Sequence, residues 1–152
     1  SITGSEVAEY VTRKKAKAYL DELEDHDLLI TGDTVVLCDG QVLGKPKSAA
    51  EAKAMLQQLS GRTHTVASGI AVTTKASGIK SAVDTCKVTF ASLDDALLNH
   101  YIEQYQPFDK AGGYGVQDLI GFAGVISLNG SYFTVMGLPT HLLFDLLNNL
   151  KS

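Results

Sequence analysis

Two long runs of strand character, Thr63 to Thr74 and Lys80 to Ala91, are separated only by a short turn at Ser77-Gly78, and they limit the folds open to this chain. In the second run Ala82, Asp84, Cys86, Val88 and Phe90 alternate with Val83, Thr85, Lys87 and Thr89, the period of a strand with two distinct faces. Helical patterns flank the pair. A first helix opens with a capping box at Thr3 and Glu6 and runs without Gly or Pro to about Asp25, placing Val7, Val11, Lys15 and Ala18 on one face. Leu28 to Leu37 predicts a strand, and Asp39-Gly40 a two-residue turn into Gln41 to Leu43. Ser48 with Glu51 caps a second helix, apolar at Ala49, Ala52, Met55, Leu56 and Leu59 and stopped by Gly61. Ser92 with Asp95 opens a third, to about Tyr105. Phe122 to Leu128 and Tyr132 to Met136 read as strands joined at Asn129-Gly130, and a last helix runs from about Thr140 to Leu150. Strand pairs interrupted by helices, without repeats or a linker, predict one α/β or α+β domain over residues 1–152 with a mixed sheet.

The stretch from Asp109 to Gln117 carries the chemistry. It sets Asp109, Lys110 and Gln117 around glycines at 112, 113 and 115, so backbone can approach a ligand closely while charge and an amide flank it. Such a loop suits an anionic, hydrogen-bonding small molecule, or is a glycine turn with solvated charges. The whole chain is acidic, with 13 Lys and Arg against 17 Asp and Glu and a formal charge of −4, which argues against a nucleic-acid groove and its basic footprint. A small polyanion needs only a few placed lysines. No apolar run approaches the ~20 residues of a membrane span. Two cysteines on different predicted strands, Cys38 and Cys86, suit a reduced cytoplasmic protein.

Other motifs fail on spacing. Gly40 to Lys45 is too short for a Walker A loop, and Pro46 stands where its hydroxyl residue belongs. The loop glycines do not form G-x-G-x-x-G, the four histidines have no zinc spacing, and no serine sits in a nucleophile elbow.

Read with Thr31-Gly32-Asp33-Thr34-Val35-Val36 and Gly44-Lys45-Pro46, the loop resembles the Maf family of nucleoside triphosphate pyrophosphatases, also known as septum-formation-inhibitor-like proteins. Their pattern runs A/G-D-T-x-V, then K-P, then D-K-A-G-x-Y-G-x-Q. The likeness continues in order through Leu59 to His64, Asn129 to Tyr132 and Val135 to Pro139, and so covers nearly the whole chain. It implies an elongated α/β/α fold, similar to inosine triphosphate pyrophosphatases, with the site in a central cleft. The family's opening segment, roughly A-S-x-S-P-R-R, has no counterpart here, so the expectation is a domain without its N-terminal strand and phosphate-binding loop.

The resemblance implies cleavage between the α and β phosphates to a nucleoside monophosphate and pyrophosphate. The D-T motif and the loop are similar to the branch acting on dTTP and UTP, with modified pyrimidine nucleotides as further house-cleaning substrates. The reaction calls for a divalent cation, Mg2+ or Mn2+, and an activated water. Asp33, the only charged residue between Leu28 and Leu37, is the expected catalytic and metal-binding carboxylate; otherwise it occupies a strand bulge beside Gly32. Lys45, aimed by Pro46, and Lys110 are expected on the phosphates. Lys15 is a substrate contact in the family pattern R-x-K-A, or else snorkels to the helix edge. Gln117 reads a pyrimidine edge or orients phosphate and water, and Asp109 positions Lys110 or meets the metal. The implied partners are a nucleoside triphosphate and a second copy in a homodimer, with no nucleic acid polymer and no membrane. The rival reading is a nucleotide-binding regulator of septum formation and cell division with weak or no catalysis.

Overall fold

A computed structural model describes residues 4–150. Helix α1 spans Gly4–Lys17. Strands β1 (Leu29–Cys38) and β2 (Gln41–Leu43) follow, then helix α2 (Ala49–Leu59) and strands β3 (Thr63–Thr74) and β4 (Gly78–Phe90). Helices α3 (Asp95–Tyr105) and α4 (Leu119–Gly124), strand β5 (Val125–Asn129), and helices α5 (Tyr132–Met136) and α6 (Thr140–Asn149) complete the chain. The α/β class is as the sequence predicts. No helix of the described residues is long and apolar enough to cross a membrane.

The five strands lie in the order β2-β1-β3-β4-β5, and every neighbouring pair is antiparallel. The mixed sheet expected from the sequence is therefore corrected. Tight turns join β1 to β2 and β3 to β4, and a strand that returns through a tight turn can only run antiparallel to the one it left. Asp39 and Gly40 take φ of 51° and 75°, the backbone of the predicted two-residue turn.

One face of the sheet carries α1, and the other carries the main core. On the core side Val36, Val66, Cys86, Val88 and Phe90 pack against Leu56 and Leu59 of α2, Leu98 and Tyr101 of α3, and Ile120 of α4. Ser48 caps α2 as predicted, its hydroxyl accepting the Glu51 N–H at 3.1 Å. The α1 face is tighter. A Cβ on Gly69 of β3 would lie 2.5 Å from Thr12 Oγ1 and 2.8 Å from the Ala8 carbonyl, so only glycine lets the helix sit this close.

That close approach corrects two expectations about α1. The buried stripe is Ala8, Thr12 and Ala16 rather than Val7, Val11, Lys15 and Ala18, because small side chains occupy the closest contact and the valines flank it. The helix ends at Lys17, short of Asp25, and residues 17–22 are all exposed. Without an apolar face against the sheet, a helix of this length has little to hold it. Thr3 of the predicted capping box lies outside the described residues.

Two further elements differ. Helix α3 is capped by Asp94, which accepts the Leu97 N–H at 2.8 Å, instead of Ser92, because Ser60 Oγ accepts the Leu93 N–H at 2.7 Å and ties that segment to the end of α2. The predicted strand pair after the glycine loop is α4, β5 and α5: Phe122 to Gly124 is helical, and Tyr132–Met136 is a helix folded onto the sheet. Its position rests on Thr134, bonded to Ser68 of β3 and Asp84 of β4.

Candidate active site

Strand β2 pairs with β1 only from Val36 to Cys38, so the stretch of β1 before it has a strand neighbour on the β3 side alone among the described residues. A cleft of about 310 Å³ opens along this edge. Lys15, Asp33, Lys45, Lys110 and Gln117, the five site residues expected from the sequence, all line it, and so does Asp109.

Asp33 keeps regular register opposite Gly69 in the β1–β3 ladder, so the bulge reading is overturned. Its side chain points to the α1 side of the sheet, where Lys15 Nζ lies 3.1 Å from Asp33 Oδ1 and 3.0 Å from the Gly32 carbonyl oxygen. The Lys15 side chain is half exposed, yet it reaches across to the strand rather than trailing into solvent. Asp33 is 22% exposed, which leaves it open to the cleft.

Lys45 comes from the segment between β2 and α2. Buried Pro46 follows it, while Lys45 itself is exposed and forms no ion pair among the described residues. This segment is stitched to the glycine loop by the Gly112 N–H, which donates to the Gly44 carbonyl at 3.0 Å. Gly112 has φ of 72°, and a Cβ there would lie 2.9 Å from Val36 Cγ2, so the loop can fold against β1 only with glycine at this point. Lys110 Nζ sits 3.4 Å from Oδ1 of its exposed chain neighbour Asp109.

Two buried tyrosines anchor the rest of the loop. Tyr101 Oη donates to Asp118 Oδ2 at 2.8 Å and accepts the Gly115 N–H at 3.3 Å. Burial raises the Asp118 carboxyl, opposed by that hydrogen bond and by the Lys110 charge. Tyr114 lines the cleft, and its hydroxyl lies 2.6 Å from Nε2 of buried His64, with Phe90 edge-on to both rings. Burial lowers His64 to about 4, so the ring is neutral near pH 7.

Sequence reasoning did not single out further wall residues: Thr34, Val36 and Val66 of the sheet, Tyr114, Val135 and Met136 of α5, and Gly137, which ends that helix. Tyr114 and the 135–137 segment lay inside motifs already noticed, so their sequence signal was present. His64 too closed a noticed motif, but nothing local gave its contact, because its partner Tyr114 is 50 residues away.

Three lysines and two aspartates line the cleft, a local excess of positive charge in a chain of net −4. With neutral wall residues beside them, the described residues define an α/β protein with a lysine-lined cleft at a sheet edge. The chain belongs to the Maf family, whose model, described as Maf-like protein, matches residues 2–150. A Parabacteroides distasonis protein named dTTP/UTP pyrophosphatase is 44% identical over 145 residues, covering 95% of this chain and 75% of that one. A protein of the same name from Bacteroides thetaiotaomicron is 44% identical over 149 residues, 98% of this chain and 77% of the relative. Another, from Porphyromonas gingivalis, is 46% identical over 142 residues, 90% and 69% of the two chains.

Proposed function

We propose that this chain hydrolyses dTTP and UTP to the nucleoside monophosphate and pyrophosphate. The observation that carries the reading is the convergence of Lys15, Lys45, Lys110, Asp33 and Gln117, from four separate segments, on one cleft. The name shared by the relatives, dTTP/UTP pyrophosphatase, supports the substrate and the bond cleaved. Lysines act on phosphate as point charges, and three of them suit an extended triphosphate.

In this reading water attacks the α phosphorus, the bond to the bridging oxygen breaks, and pyrophosphate leaves with the charge that Lys45 and Lys110 hold. Asp33 orients the water and takes up its proton. Lys15 keeps the carboxylate aimed until substrate arrives, and Gln117 meets the base or the phosphates.

A divalent cation, magnesium or manganese, would neutralise phosphate charge at this site. Among the described residues no group of three or more His, Cys, Asp or Glu could hold such an ion. The donors do fit an ion carried largely by substrate: magnesium is commonly held by one or two carboxylates with phosphate oxygens and water, and Asp33 is the carboxylate for it.

Incubation with magnesium and a panel of nucleoside triphosphates, with the products resolved, tests the reading. Pyrophosphate and monophosphate from dTTP or UTP are expected. Orthophosphate, or no turnover of any nucleotide, overturns it.

A further inference from the structure

Thr34, Ser68 and Asp84 stand opposite one another across β1, β3 and β4, since Thr34 pairs with Ser68 and Ser68 with Asp84 in the strand register. They form one polar row on the face that α5 covers. Ser68 Oγ donates its single proton to the Thr134 carbonyl at 2.7 Å, so Thr34 must be the donor in its 2.8 Å contact with Ser68 Oγ. Thr134 Oγ1 in turn donates to Asp84 Oδ2 at 2.6 Å, a charge-assisted bond. Ser68 and Thr134 are both fully buried. The same Asp84 oxygen, Oδ2, lies 3.6 Å from His141 Nε2 of α6.

The row therefore grips one residue of α5 twice, by main chain from β3 and by side chain from β4. The next three residues, Val135, Met136 and Gly137, are cleft wall. A Cβ on Gly137 would lie 3.4 Å from Thr34 Oγ1, so the wall rests against the same row, whose first member adjoins Asp33 in the chain. A helix of five residues does not hold itself together by its own hydrogen bonds, so its placement comes from these contacts. Oriented hydrogen bonds select one position, whereas apolar packing alone tolerates several.

We infer that Ser68, Asp84 and Thr134 are positioning residues for the nucleotide site, acting through α5 to hold the Val135–Gly137 wall against β1 at the distance that the bound nucleotide requires. The inference rests on the function proposed above. A wall that contacts the nucleotide before and during the reaction alike contributes to binding more than to the chemical step.

The test compares Thr134→Val, which keeps the branched shape and removes the hydroxyl, with Thr134→Ser, which keeps the hydroxyl. Affinity for α,β-methylene-dTTP, which resists cleavage between the α and β phosphates, is measured by calorimetry with magnesium, alongside kcat, KM and melting temperature. Thr134→Val should weaken the analogue and raise KM by roughly 5- to 20-fold with kcat changed far less, and Thr134→Ser should recover the affinity. Equal affinities for wild type, Thr134→Val and Thr134→Ser overturn the inference, as does a loss of melting temperature with affinity unchanged. If Thr134→Val does not fold, Ser68→Ala, which deletes the grip on the Thr134 carbonyl together with the acceptor of the Thr34 hydroxyl, gives the same reading. A wild-type protein that binds the analogue while the variants bind equally well refutes the positioning role alone. A wild-type protein that binds neither the analogue nor any nucleotide refutes the proposed function and this inference with it.

Discussion

Lys15 of α1 and Asp33 of β1, eighteen positions apart in the chain, meet at the edge of the cleft with Nζ 3.1 Å from Oδ1. The lysine is half exposed, and ion pairs of that kind contribute about 0–1 kcal/mol once solvent screening is counted. Such a pair is easily exchanged for one with a phosphate. Its value in the free protein lies in aim: the lysine is already at the cleft, and the carboxylate is already directed.

Asp33→Asn keeps the shape of the side chain and removes the charge. Turnover of dTTP should fall by about 10²–10⁴-fold, the usual worth of a general base, while the melting temperature changes little because the lost pair is half solvated. Steady-state kinetics with a thermal melt separate the possibilities. A fall of only a few fold would make Asp33 an anchor for Lys15 and nothing more.

Lys45→Ala and Lys110→Ala should each weaken nucleotide binding, and the deficit relative to wild type should shrink as salt is raised, because the deleted interaction is itself screened. Titration of a nucleotide at low and high ionic strength measures this. Unchanged affinity in both variants would return the two lysines to the solvated surface.

Gln117→Ala distinguishes two roles for an exposed amide on the cleft wall. If it reads the base, the variant should narrow the gap in kcat/KM between dTTP or UTP and the purine triphosphates, by the roughly 1–3 kcal/mol that a lost hydrogen-bonding partner costs. If every nucleotide slows by one factor, the amide serves phosphate or water.

His64 gives the fold a calculable acid sensitivity. Burial lowers it from 6.5 to about 4, so its folded value lies below its unfolded one. The stability that comes from the neutral ring is therefore complete above about pH 6.5 and is lost as pH falls towards about 4, reaching roughly 3 kcal/mol across that window. His64→Gln, which offers Tyr114 a polar partner and does not titrate, should flatten the pH dependence of unfolding free energy between those limits. Denaturation series at matched pH values check it, with the difference between the proteins cancelling the carboxylates that titrate nearby. Parallel curves would show that His64 ionises freely in the folded state.

Local signals were legible where the chain decides its structure with its near neighbours. Strand β3 runs from Thr63 to Thr74 as its pattern predicts, the Asp39-Gly40 turn and the Ser48 cap form as expected, and Cys86, Val88 and Phe90 face the core while Thr85 and Lys87 face solvent. The alternation in β4 even placed Asp84 on the covered side. The five site residues were legible for a different reason: their types and order matched a known pattern, and the cleft then brought them together.

The sequence by itself determined the α/β class, most element positions and the identities of the groups that line the cleft. Only the tertiary structure decided which stripe of α1 is buried, that the β1–β3 and β4–β5 pairs are antiparallel, and that Tyr132–Met136 is helical although its aromatic and β-branched residues favour a strand. The physical reason is distance along the chain. Turns and caps arise between residues one to four apart, where a short stretch contains both partners. Thr134 instead takes its partners from Ser68, 66 residues away, and Asp84, 50 residues away, and buried hydrogen bonds of that kind override a propensity that amounts to tenths of a kcal/mol per residue.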